Sequence, residues 1–70
     1  MKQIDYYVKC LNRDGSVDYI GGTEKNESLA IKKMKMVIED NKERVFEAYF
    51  IDKNGNIIFM SPTSGKVKRK

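Results

Sequence analysis

The feature that most limits what this chain can fold into is a turn sequence written twice, forty residues apart. Leu11-Asn12-Arg13-Asp14-Gly15-Ser16-Val17-Asp18-Tyr19-Ile20 aligns with Ile51-Asp52-Lys53-Asn54-Gly55-Asn56-Ile57-Ile58-Phe59-Met60, and every pair agrees in chemical type except Asp18 against Ile58. In each copy Asn or Asp opens the turn, a long basic residue follows, Asp or Asn comes third, and Gly stands where a hairpin needs positive φ. Both segments therefore read as β-hairpins. Hairpin loops draw on few residue types, so we take the likeness as turn rules met twice, with ancestral duplication as the alternative.

Loop length decides which residues share a face. A four-residue loop Asn12 to Gly15 sets Leu11 against Ser16, Cys10 against Val17, Lys9 against Asp18 and Val8 against Tyr19. One face is then Tyr6, Val8, Cys10, Val17 and Tyr19, and Lys9 pairs with Asp18 on the other. A three-residue loop would instead place Cys10 opposite Asp18. The four-residue register in the second copy gives Phe46, Ala48, Phe50, Ile57 and Phe59 as the inner face. Its outer face becomes Val45, Glu47, Tyr49, Ile51, Ile58 and Met60, more apolar than a solvated face.

Between the hairpins, Asn26 is a fitting N-cap for a helix over 27–40, with Glu27 favourable at its positive end. At the helical period Ala30, Ile31, Met34, Val37 and Ile38 form one apolar stripe, which should lie on the inner face of the sheet. Leu29 and Met36 project from the other side amid Lys32, Lys33 and Lys35, as stray exposed apolar residues or as a partner contact. The expected fold is α+β, two β-hairpins flanking one helix (ββαββ), with the helix on one face of a four-stranded sheet. Residues 1–60 form the single compact domain, and 61–70 a flexible basic C-terminal tail. The pairing between hairpins is not legible in the sequence.

At 70 residues the core is near the lower limit for folding without disulfides, metals or a partner. Fourteen basic side chains face ten acidic ones, but Lys66, Lys68, Arg69 and Lys70 supply the excess, so residues 1–65 balance at ten of each sign. The basic end reads as a solvated terminus or as a salt-sensitive attraction to phosphates, not as a shaped nucleic-acid face.

The chemistry available is narrow. There is no His and one Cys, which rules out an internal disulfide and leaves too few ligands for zinc. Cys10 falls on the predicted core face with nothing to activate it, so it is read as a buried structural thiol. Asp52 to Asn56 fails as a calcium loop, because its Gly is fourth and Thr63 holds the twelfth position. Gly21-Gly22 reads as a turn ending the first hairpin and lacks the phosphate-loop patterns. No cofactor and no enzymatic activity are expected. With no signal-like or membrane-length apolar run, the expected location is cytoplasmic.

The succession of a hairpin with Asp14-Gly15, then Tyr19-Ile20-Gly21-Gly22, a helix with Leu29-Ala30-Ile31 and Val37-Ile38-Glu39, and a second hairpin with Asn54-Gly55 resembles a family of small uncharacterised bacterial domains. The resemblance covers residues 4 to 60. It implies a compact α+β unit in a bacterial or phage setting; the family carries no established activity, so no functional residue is transferred. Those domains finish in a glycine-led strand ending Tyr-Leu-Arg-Thr, whereas here Gly65 leads into Lys66-Val67-Lys68-Arg69-Lys70.

These readings point to a small interaction module working through protein contacts or as a homodimer. Tyr49, Ile51, Ile58 and Met60 would form its contact face, joined by Tyr7 and Ile20 of the first hairpin. The alternative is a nucleic-acid binder whose outer-face tyrosines stack on bases while Lys32, Lys33, Lys35, Lys66, Lys68, Arg69 and Lys70 meet phosphates.

Overall fold

Both hairpins close in the same way, and not in the four-residue register. In the computed structural model, which describes residues 3–64 and 66–68, the Asn12 amide donates to Ser16 O (2.8 Å) and the Gly15 amide to Asn12 O (3.0 Å). The second hairpin repeats this with Asp52 N to Asn56 O and Gly55 N to Asp52 O, both 2.9 Å. Gly15 (φ 89°) and Gly55 (φ 85°) occupy the left-handed region. The loops proper are therefore Arg13-Asp14-Gly15 and Lys53-Asn54-Gly55, a type I turn followed by a left-handed glycine. Asp14 Oδ1 accepts from Ser16 Oγ (2.6 Å) and Ser16 N (2.9 Å). Asp52 Oδ1 accepts from the amides of Asn56 and Asn54, both 2.9 Å.

These bonds hold the carboxyls of Asp14, chiefly through Ser16, and of Asp52, chiefly through the Asn56 amide, below their ordinary value of 3.8. The folded chain resists a proton that the unfolded chain accepts. The turn stabilisation is thus complete above about 3.8 and is lost as pH falls through the lower folded values. We expect the urea midpoint to fall between pH 4 and pH 2 more steeply in the wild-type chain than in Asp52→Asn. Equal slopes would contradict the turn geometry.

A one-residue difference in loop closure turns over every residue of the returning strand. The first hairpin is β1 (Ile4–Leu11) and β2 (Val17–Glu24), and Cys10 faces Asp18, Val8 faces Ile20 and Lys9 faces Tyr19. In the second, β3 (Val45–Ile51) and β4 (Ile57–Met60), Phe50 faces Ile58 and Ala48 faces Met60. Ile58 and Met60 consequently lie in the core, while Val17, Tyr19, Ile57 and Phe59 are exposed. That reverses the expected faces of both returning strands. Phe46 is also out of the core, because a bulge between Lys9 and Cys10 sets Cys10 opposite Val45 and Lys9 opposite Glu47, leaving Phe46 unpaired and half exposed.

The helix α1 (Glu27–Asp40) follows its local signals. Asn26 is extended, and its side chain accepts from the Leu29 amide at 2.9 Å. Ala30, Met34 and Ile38 are buried, with Ile31 and Val37 packed at the margin. Each fully buried large side chain of this stripe contributes about 1.5–3 kcal/mol.

Among the described residues the sheet has five strands, not four, all antiparallel, in the order β2-β1-β3-β4-β5. The hairpins join through β1 and β3, with Tyr6 opposite Phe50 and Tyr7 opposite Tyr49. The added strand β5 (Val67–Lys68) comes from the segment expected as a tail. Ser61 N donates to Lys66 O, then Met60 pairs with Val67 and Phe59 with Lys68. Val67 brings one more apolar side chain to the core margin, and that contact rewards the pairing.

Gly21-Gly22 is not a turn; it lies inside β2 opposite Tyr7 and Tyr6. A Cβ on Gly22 would stand 2.6 Å from Tyr6 Oη, and one on Gly21 would strike the Tyr6 carbonyl oxygen. The pair is needed because Tyr6 fills the space where side chains would be.

Asp18, the one position where the repeat breaks, is accounted for by Arg44. Its guanidinium donates to Asp18 Oδ2 (3.1 Å), Asn12 Oδ1 (2.6 Å) and Asn41 Oδ1 (2.9 Å), tying the first hairpin to the end of the helix. Ile58, the matching residue of the second hairpin, is in the core instead. Lys9 does not pair with Asp18 but with Glu47 across β1 and β3, at 3.1 Å.

Candidate docking surface

The helix packs against β1, β2 and β3 on one face of the sheet, and no element crosses the other face among the described residues. The pairings lay this open face out as a grid. Its middle row runs Gly21, Tyr7, Tyr49, Phe59, Lys68 across the five strands. Beside it on one side lie Thr23, Asp5, Ile51 and Ile57, and on the other Tyr19, Lys9 and Glu47, with Leu11 and Val17 at a corner.

The middle row is a line of touching rings. Tyr7 stacks on Tyr49 with centroids 5.2 Å apart and planes 25° from parallel, and Tyr49 meets Phe59 at 5.9 Å, tilted by 50°. Such pairs contribute roughly 0.5–1.5 kcal/mol each beyond area burial, so they order the face as well as expose it. Five large residues of the face remain wet: Tyr19 is 60% exposed, Ile57 53% and Phe59 42%, with Leu11 and Val17 exposed at the corner. The rings and Ile51 and Ile57 adjoin one another by register, so the apolar part of the face is contiguous.

The charges on this face cancel. Two acids, Asp5 and Glu47, and two bases, Lys9 and Lys68, share it; Lys9 is opposite Glu47, whereas Asp5 is opposite Thr23 and Ile51, and Lys68 opposite Phe59. The Glu47 hydrogen bond raises Lys9 above its ordinary value, and the Lys9 ammonium also sits 5.3 Å from the Tyr19 ring. Asp5 accepts from Thr23 Oγ1 at 2.9 Å.

Of the contact residues expected from sequence, Tyr7, Tyr49 and Ile51 lie on this face. Ile58 and Met60 are only 4% and 2% exposed and belong to the core, and Ile20 faces the helix side at the core margin. Phe59, Ile57 and Tyr19 take their places. The signal that identifies them is the loop itself, a glycine three residues after Asn12 or Asp52 and followed by Ser16 or Asn56, which marks the three-residue closure.

Lys32, Lys33 and Lys35 are exposed on the helix, on the opposite side of the molecule from the ring row, around Leu29 and Met36. The structure does not bring the helix lysines and outer tyrosines onto one surface. Lys68 borders Phe59 and Lys66 is exposed beside it, while Arg69 and Lys70 lie outside the described residues.

Cys10 is fully buried, and no group of three or more metal-ligating side chains occurs among the described residues. No described helix is long and apolar enough to cross a membrane. Comparison with known proteins finds no matching family model, no similar curated protein and no similar solved structure.

Proposed function

We propose that this chain is a non-enzymatic interaction module whose open sheet face takes up a protein surface, in the bacterial or phage setting that its resemblance implies. One observation carries the reading: the ring row Tyr7, Tyr49, Phe59, flanked by Ile51 and Ile57, is ordered, apolar and uncovered. Rigid aromatic side chains of this kind form the centres of protein interfaces, because their area is buried at little entropic cost. The balanced charge of the face favours a protein over a polyphosphate.

A photo-crosslinking benzophenone residue at position 59, compared with one at position 36 on the helix, tests this in cells producing the full chain. Discrete adducts from position 59 that disappear with Tyr49→Glu are expected. Equal yields from both positions would sink the reading.

The row ends at Lys68, and this favours a second reading in which the rings stack on single-stranded bases beside a cation. On this geometry the helix lysines take no part. Amide shifts at Tyr7, Tyr49 and Phe59 on adding short oligonucleotides, fading with salt, would promote it; their absence at low salt would remove it.

A further inference from the structure

We infer that Asn54 is a self-modifying site: its side-chain amide is lost by reaction with the backbone nitrogen of Gly55, leaving aspartyl and isoaspartyl residues at the tip of the second hairpin. The chemistry needs no enzyme and no cofactor. The Gly55 nitrogen gives up its proton and bonds to Asn54 Cγ, closing a five-membered imide ring. The Cγ–Nδ2 bond breaks, and the amide leaves as ammonia with that proton. One water then opens the ring, at Cγ to give aspartate or at the main-chain carbonyl carbon to give isoaspartate. The net change is one water consumed and one ammonia released.

The structure singles out one asparagine among the five in the chain. The other four have their carboxamides held. Asn12 Nδ2 donates to Ser16 Oγ (2.9 Å) while its Oδ1 accepts from Arg44 (2.6 Å). Asn26 Oδ1 accepts from the Leu29 amide, Asn41 Nδ2 donates to Val37 O, and Asn56 Nδ2 donates to Asp52 Oδ2 (3.3 Å). The Asn54 side chain makes no hydrogen bond among the described residues; only its backbone amide is engaged, by Asp52 Oδ1. Asn54 is also the one asparagine followed by glycine, whose nitrogen no side chain shields. The others precede Arg13, Glu27, Lys42 and Ile57.

Nothing packs on the tip. Residues 53–57 are all exposed, and a Cβ on Gly55 would meet nothing within 4 Å. What restrains the nitrogen is its own bond to Asp52 O, 2.9 Å. Reaction waits for that bond to open, and an exposed hairpin tip opens at little cost compared with a core strand. Asp14-Gly15 in the first hairpin is the internal contrast. Its carboxylate is ionised at neutral pH, which makes it a poor target for a nucleophile, and Ser16 fixes it through both N and Oγ.

Neither product fits the turn as the asparagine does. Each turn carries one carboxylate, Asp14 with the neutral Asn12 in the first and Asp52 with the neutral Asn54 in the second. Aspartate at position 54 sets a second negative charge beside Asp52, whose Oδ1 already holds the amides of residues 54 and 56. Isoaspartate routes the backbone through the side-chain methylene and so adds an atom to a loop whose closure decides which way β4 faces. Both products loosen the strand that carries Ile57 and Phe59.

Peptide mass spectrometry of the full chain, aged at mildly alkaline pH beside the same chain in urea, tests the site. A gain of about 1 Da confined to the peptide that holds Asn54 is expected, part of it as isoaspartate. Its rate should lie within about tenfold of that in urea, because the tip opens readily. Asn54→Gln, whose longer side chain would have to close a six-membered ring, should age without the gain. The aged chain and a fresh Asn54→Asp variant should both show a lower urea midpoint at neutral pH than the fresh wild type. A folded chain that reacts more than tenfold slower than the chain in urea overturns the inference, because the Gly55 bond then shields the site. Equal conversion at any other asparagine overturns it as well. An aged chain as stable as the fresh one would refute the loosening of β4.

Discussion

Phe50→Ala is expected to leave most of the chain unfolded at 25 °C. Phe50 is fully buried and heads the largest such side chains, and it sits on central β3 with Tyr6 opposite on β1 and Ile58 opposite on β4. Truncating a buried Phe removes about 3–5 kcal/mol, part from transfer and part from the cavity left behind. Small domains hold roughly 0.05–0.15 kcal/mol per residue, so the loss takes up much of what a chain of this size has. Urea denaturation followed by circular dichroism should show a lost or strongly shifted transition. Phe50→Leu provides a measurable intermediate if the alanine variant has no folded baseline. The contrast is Phe46→Ala, where the bulge leaves the ring half exposed and the expected cost is below about 1 kcal/mol. If the two alanine variants lose similar stability, the bulge and the core as described are wrong.

The second large effect runs against ordinary strand preferences. Replacing a glycine inside a strand by alanine normally helps, by about 0.4–1 kcal/mol, because the unfolded chain loses freedom. At Gly21 the opposite is expected, a loss of about 2–3 kcal/mol, because the new Cβ would strike the backbone oxygen of Tyr6. That oxygen belongs to β1 and cannot retreat without opening the β1–β2 pairing. Gly15→Ala is the control, since a Cβ there meets nothing within 4 Å and only the left-handed backbone opposes it. Its cost should be about 1–2 kcal/mol. Thermal denaturation of both variants decides the matter, and a Gly21→Ala chain as stable as the wild type would refute the close approach.

The two glycine types differ in how plainly the sequence announces them. Gly15 and Gly55 stand in turn sequences that state their own geometry, and the neighbouring residues alone call for positive φ there. Gly21-Gly22 looks like the same signal and is not. Its meaning depends on Tyr6, far back along the chain on β1, whose ring and carbonyl occupy the missing side-chain positions. Asp18 is a parallel case, an apparent flaw in a repeat until Arg44 arrives from the far end of the helix.

The candidate surface shows the same division more sharply. That an apolar outer face exists is readable from the excess of apolar residues in the second hairpin. Which residues compose it is not, because one hydrogen bond more in each loop exchanges Ile57 and Phe59 for Ile58 and Met60. Tyr7, Tyr49 and Ile51 keep their expected face because they lie on strands whose orientation does not depend on how the loop closes. Both apolar alternations in the returning strands look plausible as strings, and the turn geometry chooses between them.

The helix over 27–40, its Asn26 cap, its inward stripe and the two hairpins were determined by the sequence alone, since each depends on residues within a turn or two of one another. The β1–β3 pairing, the fifth strand, the bulge at Phe46 and the row that ends at Lys68 were decided only by the tertiary structure. Strand partners distant in sequence are selected by the apolar area and hydrogen bonds they complete together, and no local pattern encodes that sum.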